Sequence, residues 1–331
     1  MEISDQILDW LMEKNNPSIR FLTLTTLLNR PLTDPEVREA KQKIGKIGLV
    51  PEILSQQNED GSFGTPERFY RDKYKGTAWV LLLLGELWAD SDDPRIKGTC
   101  EFILNYSQEP EMGGFSYDRS AKTGHGIPSG VVPCLTGNMV YTLIRLGYLE
   151  DSRVQKAIEW IIRFQRTDDG VSQEPRDPIY QRYKMCWGQH TCHMGVAKTL
   201  KALAAIPPEK RTREQSVKIN ELTDYFLIHH LYRKSHQLDQ VARPGWLKLG
   251  FPLMYQTDIL ELTEIFAELG IKDPRLDDAI EIIANKPLKE GMWKLENSFN
   301  GKMLVTVEKK GQPSKWITLK ALKVLKTYSL K

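Results

Sequence analysis

The densest run of reactive side chains in this chain is Cys186-Trp187-Gly188-Gln189-His190-Thr191-Cys192-His193. If the run is helical throughout, Cys186, His190 and His193 stand at i, i+4 and i+7, on one face. Thiolate and imidazole are the donors zinc prefers, and three protein ligands would leave a fourth position open for catalysis. The plain alternative is packing, with cysteine as a small core residue and the histidines bonded across the core.

Cationic side chains collect in a few loops. Glu67–Lys75 reads ERFYRDKYK and holds Arg68, Arg71, Lys73 and Lys75. Further groups are Arg176, Arg182 and Lys184, then Arg243 and Lys248, then Lys309, Lys310 and Lys315. Each group precedes an apolar helix, and helix N-termini offer free N–H groups and partial positive charge. A diphosphate or carboxylate would suit such a rim; a simply polar, lysine-rich loop set is the alternative. The aromatic residues Trp79, Tyr141, Trp187, Tyr255 and Trp316 lie on those helices or at their starts. Aromatic faces stabilise cations and stack on sugars, and they also serve as core. No Walker loop, GxGxxG or GxSxG occurs, so nucleotide hydrolysis and α/β-hydrolase chemistry have no support.

Two recurring phrases define the elements that must position these residues. One is an apolar helix end, a glutamine, a short gap and a glycine: ILSQQNEDGSF at Ile53–Phe63, ILNYSQEPEMGGF at Ile103–Phe115, IIRFQRTDDGV at Ile161–Val171 and, with lysine for glutamine, IIANKPLKEGMW at Ile282–Trp293. The other is a helix end, a turn, then Asp-Pro-Arg or a variant: Leu27–Arg38, Leu84–Arg95, Leu146–Arg153 and Leu269–Arg275. Aspartate before proline caps exposed N–H groups where proline has none to lose, and glycine stops a helix. Each unit is therefore a helix, a tight turn, a second helix and the glutamine–glycine phrase. First helices are expected from about Ser18, Thr77, Cys134, Gly188, Tyr255 and Ser314, and second helices from about Asp34, Asp93, Asp151, Thr212 and Asp273. Ser314–Tyr328 and Ser4–Glu13 are left unpaired, each with an apolar face; pairing them gives six hairpins in a closed ring, where an open solenoid would need polar caps. Thr77–Trp88 is apolar almost all round and belongs to an inner ring; Ser152–Gln165 and Pro274–Asn285 are amphipathic and belong to an outer one. The expected fold is all-α, a single α6/α6 toroid over residues 1–331, with one β-hairpin at 293–308 turning on Asn300-Gly301.

With 331 residues, 40% hydrophobic and 27% charged, the chain has the composition of a globular protein with a sizeable core. A net charge of +3 argues against a general nucleic-acid binder. Four cysteines without a paired framework point to a reducing compartment. The N-terminus is acidic and amphipathic rather than a signal peptide, and the longest apolar run, Ala78–Leu84, is too short to span a bilayer. The expected location is cytoplasmic.

The glutamine–glycine–aromatic phrase resembles the QW-type repeat of squalene and hopene cyclases and the related repeat of protein prenyltransferase β subunits. Both groups are α6/α6 toroids. The likeness runs from about Pro17 to Tyr328, with Phe63, Phe115 and Val171 in place of tryptophan and only Trp293 keeping it. It implies a central cavity whose catalytic residues sit where the inner helices begin. Prenyltransferase β subunits hold zinc there with an Asp, a Cys and a His. His190-Thr191-Cys192 resembles the histidine segment and Cys134 the place of the cysteine, but Val132-Pro133 stand where the aspartate would be. The resemblance thus implies a zinc set of Cys134, Cys186, His190 and His193, with His190 and Asp258, the one acid near an inner-helix start, as candidate catalytic residues. Class II terpene cyclases protonate an alkene with the middle aspartate of DxDD. Asp90-Ser91-Asp92-Asp93 matches formally, but it falls in a turn at the opposite end of the barrel, where a solvated carboxylate lacks the required acidity. Asp93 reads as a helix cap.

The expected ligand is a hydrophobic or amphipathic small molecule, an isoprenoid diphosphate in the leading reading. Arg71, Lys73, Lys75, Arg182 and Lys315 would take the anion, and Trp79, Trp187, Tyr255 and Trp316 the apolar part. A carbohydrate-active α6/α6 barrel would need two carboxylates in the cavity, with Asp258, Asp72 and Glu174 on offer. A non-catalytic ring that binds a ligand or peptide is the third reading. Protein prenyltransferases need a second, α-helical subunit, and nothing in this chain reports one.

Overall fold

The computed structural model describes residues 3–169, 178–181, 186 and 191–328. In chain order the helices are α1 (Asp5–Leu11), α2 (Pro17–Leu22, running on as a π-turn over Thr23–Leu27), α3 (Pro35–Ile44), α4 (Leu49–Leu54), α5 (Thr77–Glu86), α6 (Pro94–Tyr106), α7 (Pro133–Arg145), α8 (Ser152–Phe164), α9 (Pro178–Gln181), α10 (His193–Ala204), α11 (Arg213–Ile228), α12 (Ile259–Glu268), α13 (Asp277–Ala284) and α14 (Lys315–Tyr328).

The aspartate phrase works as its chemistry requires. Asp34, Asp93, Asp151 and Asp273 accept from the N–H two residues on, at 2.8, 2.9, 2.8 and 2.9 Å. In the last three the arginine at that position folds back onto the same carboxylate, at 2.6, 2.7 and 2.7 Å. Thr212 and Gln215 close a reciprocal capping box on α11. Each cap is worth about 1 kcal/mol.

The pairs α2/α3, α5/α6, α7/α8, α10/α11, α12/α13 and α14/α1 pack against each other. Their first members follow one another around an inner ring: α5 on α7, α7 on α10, α10 on α12, α12 on α14, and α14 on α2. The last gap, from α2 to α5, is closed by Ser18 Oγ donating to the Leu87 carbonyl at 2.7 Å and by Phe21 against Trp88 at 5.3 Å. The chain is an α6/α6 toroid, and its two unpaired terminal helices form the sixth hairpin.

The glutamine–glycine phrase is the mortar between units. Gln57 Nε2 reaches the Arg95 carbonyl and Thr99 Oγ1 of the next outer helix, both at 2.7 Å, and Gln108 Nε2 reaches the Arg153 carbonyl at 2.6 Å. The aromatic residue closing each phrase donates its backbone N–H to a threonine on the next inner helix: Phe63 to Thr77, Phe115 to Thr136 and Trp293 to Thr318, at 2.9, 3.0 and 3.0 Å. A side chain on Gly61 would stand 2.5 Å from the Gly98 carbonyl oxygen, so the backbones must touch there.

Four expectations change. The strand pair is not at 293–308. It joins β1 (Arg233–Lys234) to β2 (Gln237–Val241), antiparallel, between α11 and α12. Asn300-Gly301 does turn, with Gly301 at φ 79, and its flanks meet farther out, by Leu295 N to the Gln312 carbonyl and Ser314 N to the Trp293 carbonyl around a single antiparallel bridge between Lys294 and Pro313, while Glu296 N bonds the Leu249 carbonyl, so no regular strand pair forms within 293–308. The fourth inner helix begins at His193, with Cys192 extended before it, so Cys186 and His193 do not share one helical face. The fifth begins at Ile259, capped by Asp258. Finally, α5 is buried all round as expected, but it ends on Glu86, which joins charged side chains of three other inner helices, α10, α12 and α14, in the lumen.

Candidate functional site

The helix-start end of the ring opens on a cavity of about 840 Å³. Cys134 comes from the first turn of α7, Cys192 and Met194 from the start of α10, and Tyr255 and Gln256 from the loop before α12. Tyr70, Arg71 and Lys73 come from the loop before α5, Tyr117 from the loop before α7, and Arg243 from the loop after β2; Val132 and Cys186 complete the lining. No carboxylate is among these residues.

Lys73 is the centre of the cationic part. Its ammonium lies 4.8 Å from the Tyr255 ring centroid, 5.4 Å from Tyr70 and 5.7 Å from Trp79. Trp79 is buried behind the wall, donates Nε1 to the Tyr70 carbonyl at 2.7 Å and props the rings of Tyr70 and Tyr255. Arg71 reaches the mouth, paired with Asp118 at 2.5 Å. Tyr74, hydrogen-bonded to Gln256 and Tyr255, has its phenol pushed up to about 12, first by burial. Gln256 Oε1 is buried and accepts no hydrogen bond among the described residues.

The thiols form the second part. Cys186 donates to Cys192, and this hydrogen bond is the main reason that Cys192 is lowered to about 6 while Cys186 is raised. Burial opposes the lowering; the backbone N–H groups of Gly195 and Met194 and the charge of Arg243 add to it. Those N–H groups make no formal cap, so theirs is a charge–dipole effect. Cys134 is pushed up to about 12 by burial and then by Cys192.

The expected site residues divide. Arg71, Lys73, Cys134, Cys186 and Tyr255 meet at this cavity, with Trp79 directly behind it. Lys75 is exposed and outside the lining. Lys315 is at the ring closure, pairing with Glu13 at 2.6 Å beside the Trp10 ring. Trp316 stacks on Phe251 at 4.1 Å and borders the opposite end of the lumen. His193 points away, stacked on Trp246 at 3.9 Å and edge-on to Phe226; burial, then His229, holds its pKa well below the usual value. Asp258 is 1% exposed and accepts from the N–H groups of Glu261 and Gly250 at 2.8 and 2.9 Å, which makes it a structural cap. Burial pushes it up to about 7. His190, Trp187, Arg182, Arg176, Lys184 and Glu174 lie outside the described residues.

Part of the zinc set can be placed, His190 lying outside the described residues. Of its described members, Cys134 and Cys186 face the cavity and His193 does not; no three His, Cys, Asp or Glu side chains among the described residues are placed to hold a metal. No step is derived through one. Of the carboxylates named for a carbohydrate-active site, Asp258 is sealed in and Asp72 is taken by Arg68 at 2.5 Å, and Glu174 lies outside the described residues. Asp92 is 88% exposed in its turn and Asp93 caps α6, so the DSDD motif has no buried acid to offer.

Below the cavity the lumen is plugged by charge, which the apolar pattern of α5 gave no reason to expect. Lys198 Nζ bonds both oxygens of Glu261 at 2.7 Å; Lys201 bridges Glu86 at 2.5 Å and Glu261 at 3.0 Å. Lys320 and Lys323 meet Glu264 at 2.6 and 3.2 Å, and Lys323 also holds Glu268 at 2.7 Å. Burial alone would raise Glu86, but Lys201 and Lys320 outweigh it and hold it at about 2. The signal was present as i, i+3 spacing: Lys198/Lys201, Glu261/Glu264 and Lys320/Lys323.

No family model matches the chain, and no curated protein matches it. Several solved structures are similar to it at a low level. A protein from Actinoplanes matches with 13% identity over 95% of this chain and 90% of its own, TM-score 0.45. An unsaturated glucuronyl hydrolase specific for heparin matches with 10% identity over 96% and 85%, TM-score 0.48. A type II terpene cyclase from Scytonema, in complex with geranylgeranyl dihydroxybenzoate, matches with 13% identity over 98% and 75%, TM-score 0.44. At such identities and scores these likenesses decide neither activity nor substrate. The toroid stands on the helix packing of this chain, and any activity has to be argued from its cavity.

Proposed function

We propose that the rim cavity binds an anionic organic ligand with an apolar, unsaturated body, with isoprenoid diphosphates as the leading class. One observation carries this reading: a lysine ammonium held among three aromatic rings, in a cavity whose described lining contains arginines and no carboxylate. Lys73 makes no ion pair among the described residues, so an incoming anion need not displace an internal partner. Arg71 and Arg243 add charge at the mouth, while Tyr70, Tyr117 and Tyr255 offer aromatic faces to a double bond or to positive charge developing on an allylic carbon. The volume lies within the range of small-molecule sites.

The test is calorimetric titration with farnesyl diphosphate, inorganic pyrophosphate and farnesol, with pyrophosphate release assayed in parallel. Binding of the diphosphate, weaker binding of pyrophosphate, and at least about tenfold loss with Lys73→Gln are expected. Release of pyrophosphate would make the protein an enzyme; binding without release would make it a carrier. Farnesol binding as tightly as its diphosphate, or no effect of Lys73→Gln, overturns the reading.

A further inference from the structure

The other end of the lumen holds a second cavity, separate in position from the rim site and unused by the function proposed above. It has a volume of about 220 Å³, is walled on one side by the charged plug itself, and lies near the C-terminal ends of α5 and α7. In the plug, Lys198, Lys201, Lys320 and Lys323 face Glu86, Glu261, Glu264 and Glu268, and every member has a partner of opposite sign. Arg145, in the last turn of α7, lines the cavity with Lys201, Lys320, Lys323 and the four carboxylates; with Lys198, which holds Glu261 from outside the lining, the network has five cations against four anions. Arg145 makes no ion pair among the described residues, and its Nε is buried without a hydrogen-bond partner. A buried donor without a partner asks for an acceptor.

Two features of the wall are independent of that count. The Arg145 guanidinium carbon lies 3.4 Å from the ring centroid of Trp88, and Trp88 has a φ of 59. A bulky residue rarely adopts this left-handed conformation, and such strain persists where the surroundings hold it, often at functional sites. The Lys41 ammonium lies 5.7 Å from the same ring and bonds the Trp88 carbonyl at 2.8 Å, adding positive charge nearby. Next to Trp88, whose ring packs on Phe21, α2 runs on into its π-turn, and Leu22 and Thr26 at that junction line the cavity. Single π-turns are uncommon in helices and recur at functional sites.

Charge and size together define the occupant. A surplus cation with an unfilled donor excludes a cationic ligand and favours a monoanion. A planar guanidinium backed by an indole presents its edge, which matches a carboxylate. The remaining walls include Leu22, Ile265 and Leu319. A dry cavity of about 150 Å³ holds benzene, so this one has room for a six-membered ring bearing a carboxylate. We propose that the lower cavity is a binding site for a small planar monocarboxylate of benzoate size, with its carboxylate on Arg145 and its ring among Leu22, Ile265 and Leu319.

The test uses the full chain with three probes of one shape: benzoate, neutral benzamide and cationic benzamidine, titrated calorimetrically at low chloride. Benzoate is expected to bind with a dissociation constant of about 1 mM or tighter, and benzamide and benzamidine at least about tenfold more weakly. Arg145→Gln should weaken benzoate by at least about tenfold. Thr26→Leu, which puts bulk into the cavity and keeps every charge, should weaken benzoate too, so the conclusion does not rest on one variant; circular dichroism checks that each is folded. Folded wild type that takes up no benzoate, benzamide binding equally well, or Arg145→Gln binding like wild type overturns the proposal. None of these outcomes bears on the rim cavity, because farnesyl diphosphate binding is read separately.

Discussion

Lys198 Nζ lies 2.7 Å from both carboxylate oxygens of Glu261, and neither side chain is more than 4% exposed. The two residues sit 63 positions apart, on α10 and α12, so this pair ties neighbouring inner helices together inside the ring. Breaking a buried pair leaves an uncompensated charge and costs about 3–5 kcal/mol, whereas removing both charges is often near neutral. Lys198→Met is expected at the low end of that range, because Lys201 still reaches Glu261. The double variant Lys198→Met/Glu261→Met should recover most of the loss, because Lys201 keeps Glu86. Urea denaturation at neutral pH measures both. Equal and additive losses would remove the pairing account.

In the rim cavity, head and body of the ligand are expected to separate by mutation. Tyr255 offers a ring and no charge, so Tyr255→Leu should weaken farnesyl diphosphate by about tenfold, the scale of one lost aromatic contact. Inorganic pyrophosphate, which has no body to stack, should bind as before. Parallel titrations decide; a matched loss for both ligands would place Tyr255 with the anion instead.

Cys192 is expected to react as a thiolate near neutral pH. Its pKa of about 6, set first by the hydrogen bond from Cys186, predicts that its alkylation by iodoacetamide rises through pH 6 and then levels. Cys186→Ala should move that inflection toward the ordinary thiol value. Cys100 and Cys134, each pushed up to about 12 by burial, should stay unmodified over the same range. Peptide mapping by mass spectrometry reads all of these sites at once. An inflection near pH 9 in the wild type would contradict the arrangement.

Asp258 gives stability an unusual slope. Its folded pKa, about 7, is above the ordinary 3.8, so the folded chain holds a proton there that the unfolded chain releases. Between about pH 4 and 7 the folded state therefore binds more protons, and stability falls as pH rises, by on the order of 4 kcal/mol in full. Glu86 acts with the other sign. Its folded pKa of about 2 is below 4.5, so its contribution is full above about pH 4.5 and is lost as pH falls toward 2. Asp258→Asn keeps an acceptor for α12 and cannot titrate; it should flatten the fall between pH 4 and 7 in thermal melts while leaving the acid limb unchanged. A wild-type melting temperature constant across that window would be the contrary result.

The parts of the fold that were legible in the sequence are those written in local chemistry. Asp34, Asp93, Asp151 and Asp273 cap their helices because the cap is made within three residues, and the terminal helices announced their pairing by their apolar faces. The Asn300-Gly301 turn was legible as a turn but not the reach of its pairing: the flanks meet only at 293–295 with 311–314, and Glu296 and Asn297 bond the Leu249 carbonyl instead of a partner strand. The histidine face failed for a similar reason. His193 is held by Trp246, a stacking partner far along the chain with no local signature, and α10 starts at a cysteine, which is not a usual cap residue. Lys73 was legible as a cation but not as the centre of an aromatic cluster, because Tyr255 arrives from the other side of the ring.

The sixth hairpin has a consequence for how the molecule comes to be folded. Its halves, α14 and α1, lie at opposite ends of the described chain, and Lys315 meets Glu13 across 302 positions. Every other hairpin can form from neighbouring sequence as soon as it emerges from the ribosome. Until α14 arrives, the growing protein is an open arc with the flanks of α2 and α12 bare at its two tips. Contacts of such long range form late, and bare apolar edges invite association with other chains. Ring closure is therefore the step at which chaperone dependence and aggregation should concentrate during synthesis.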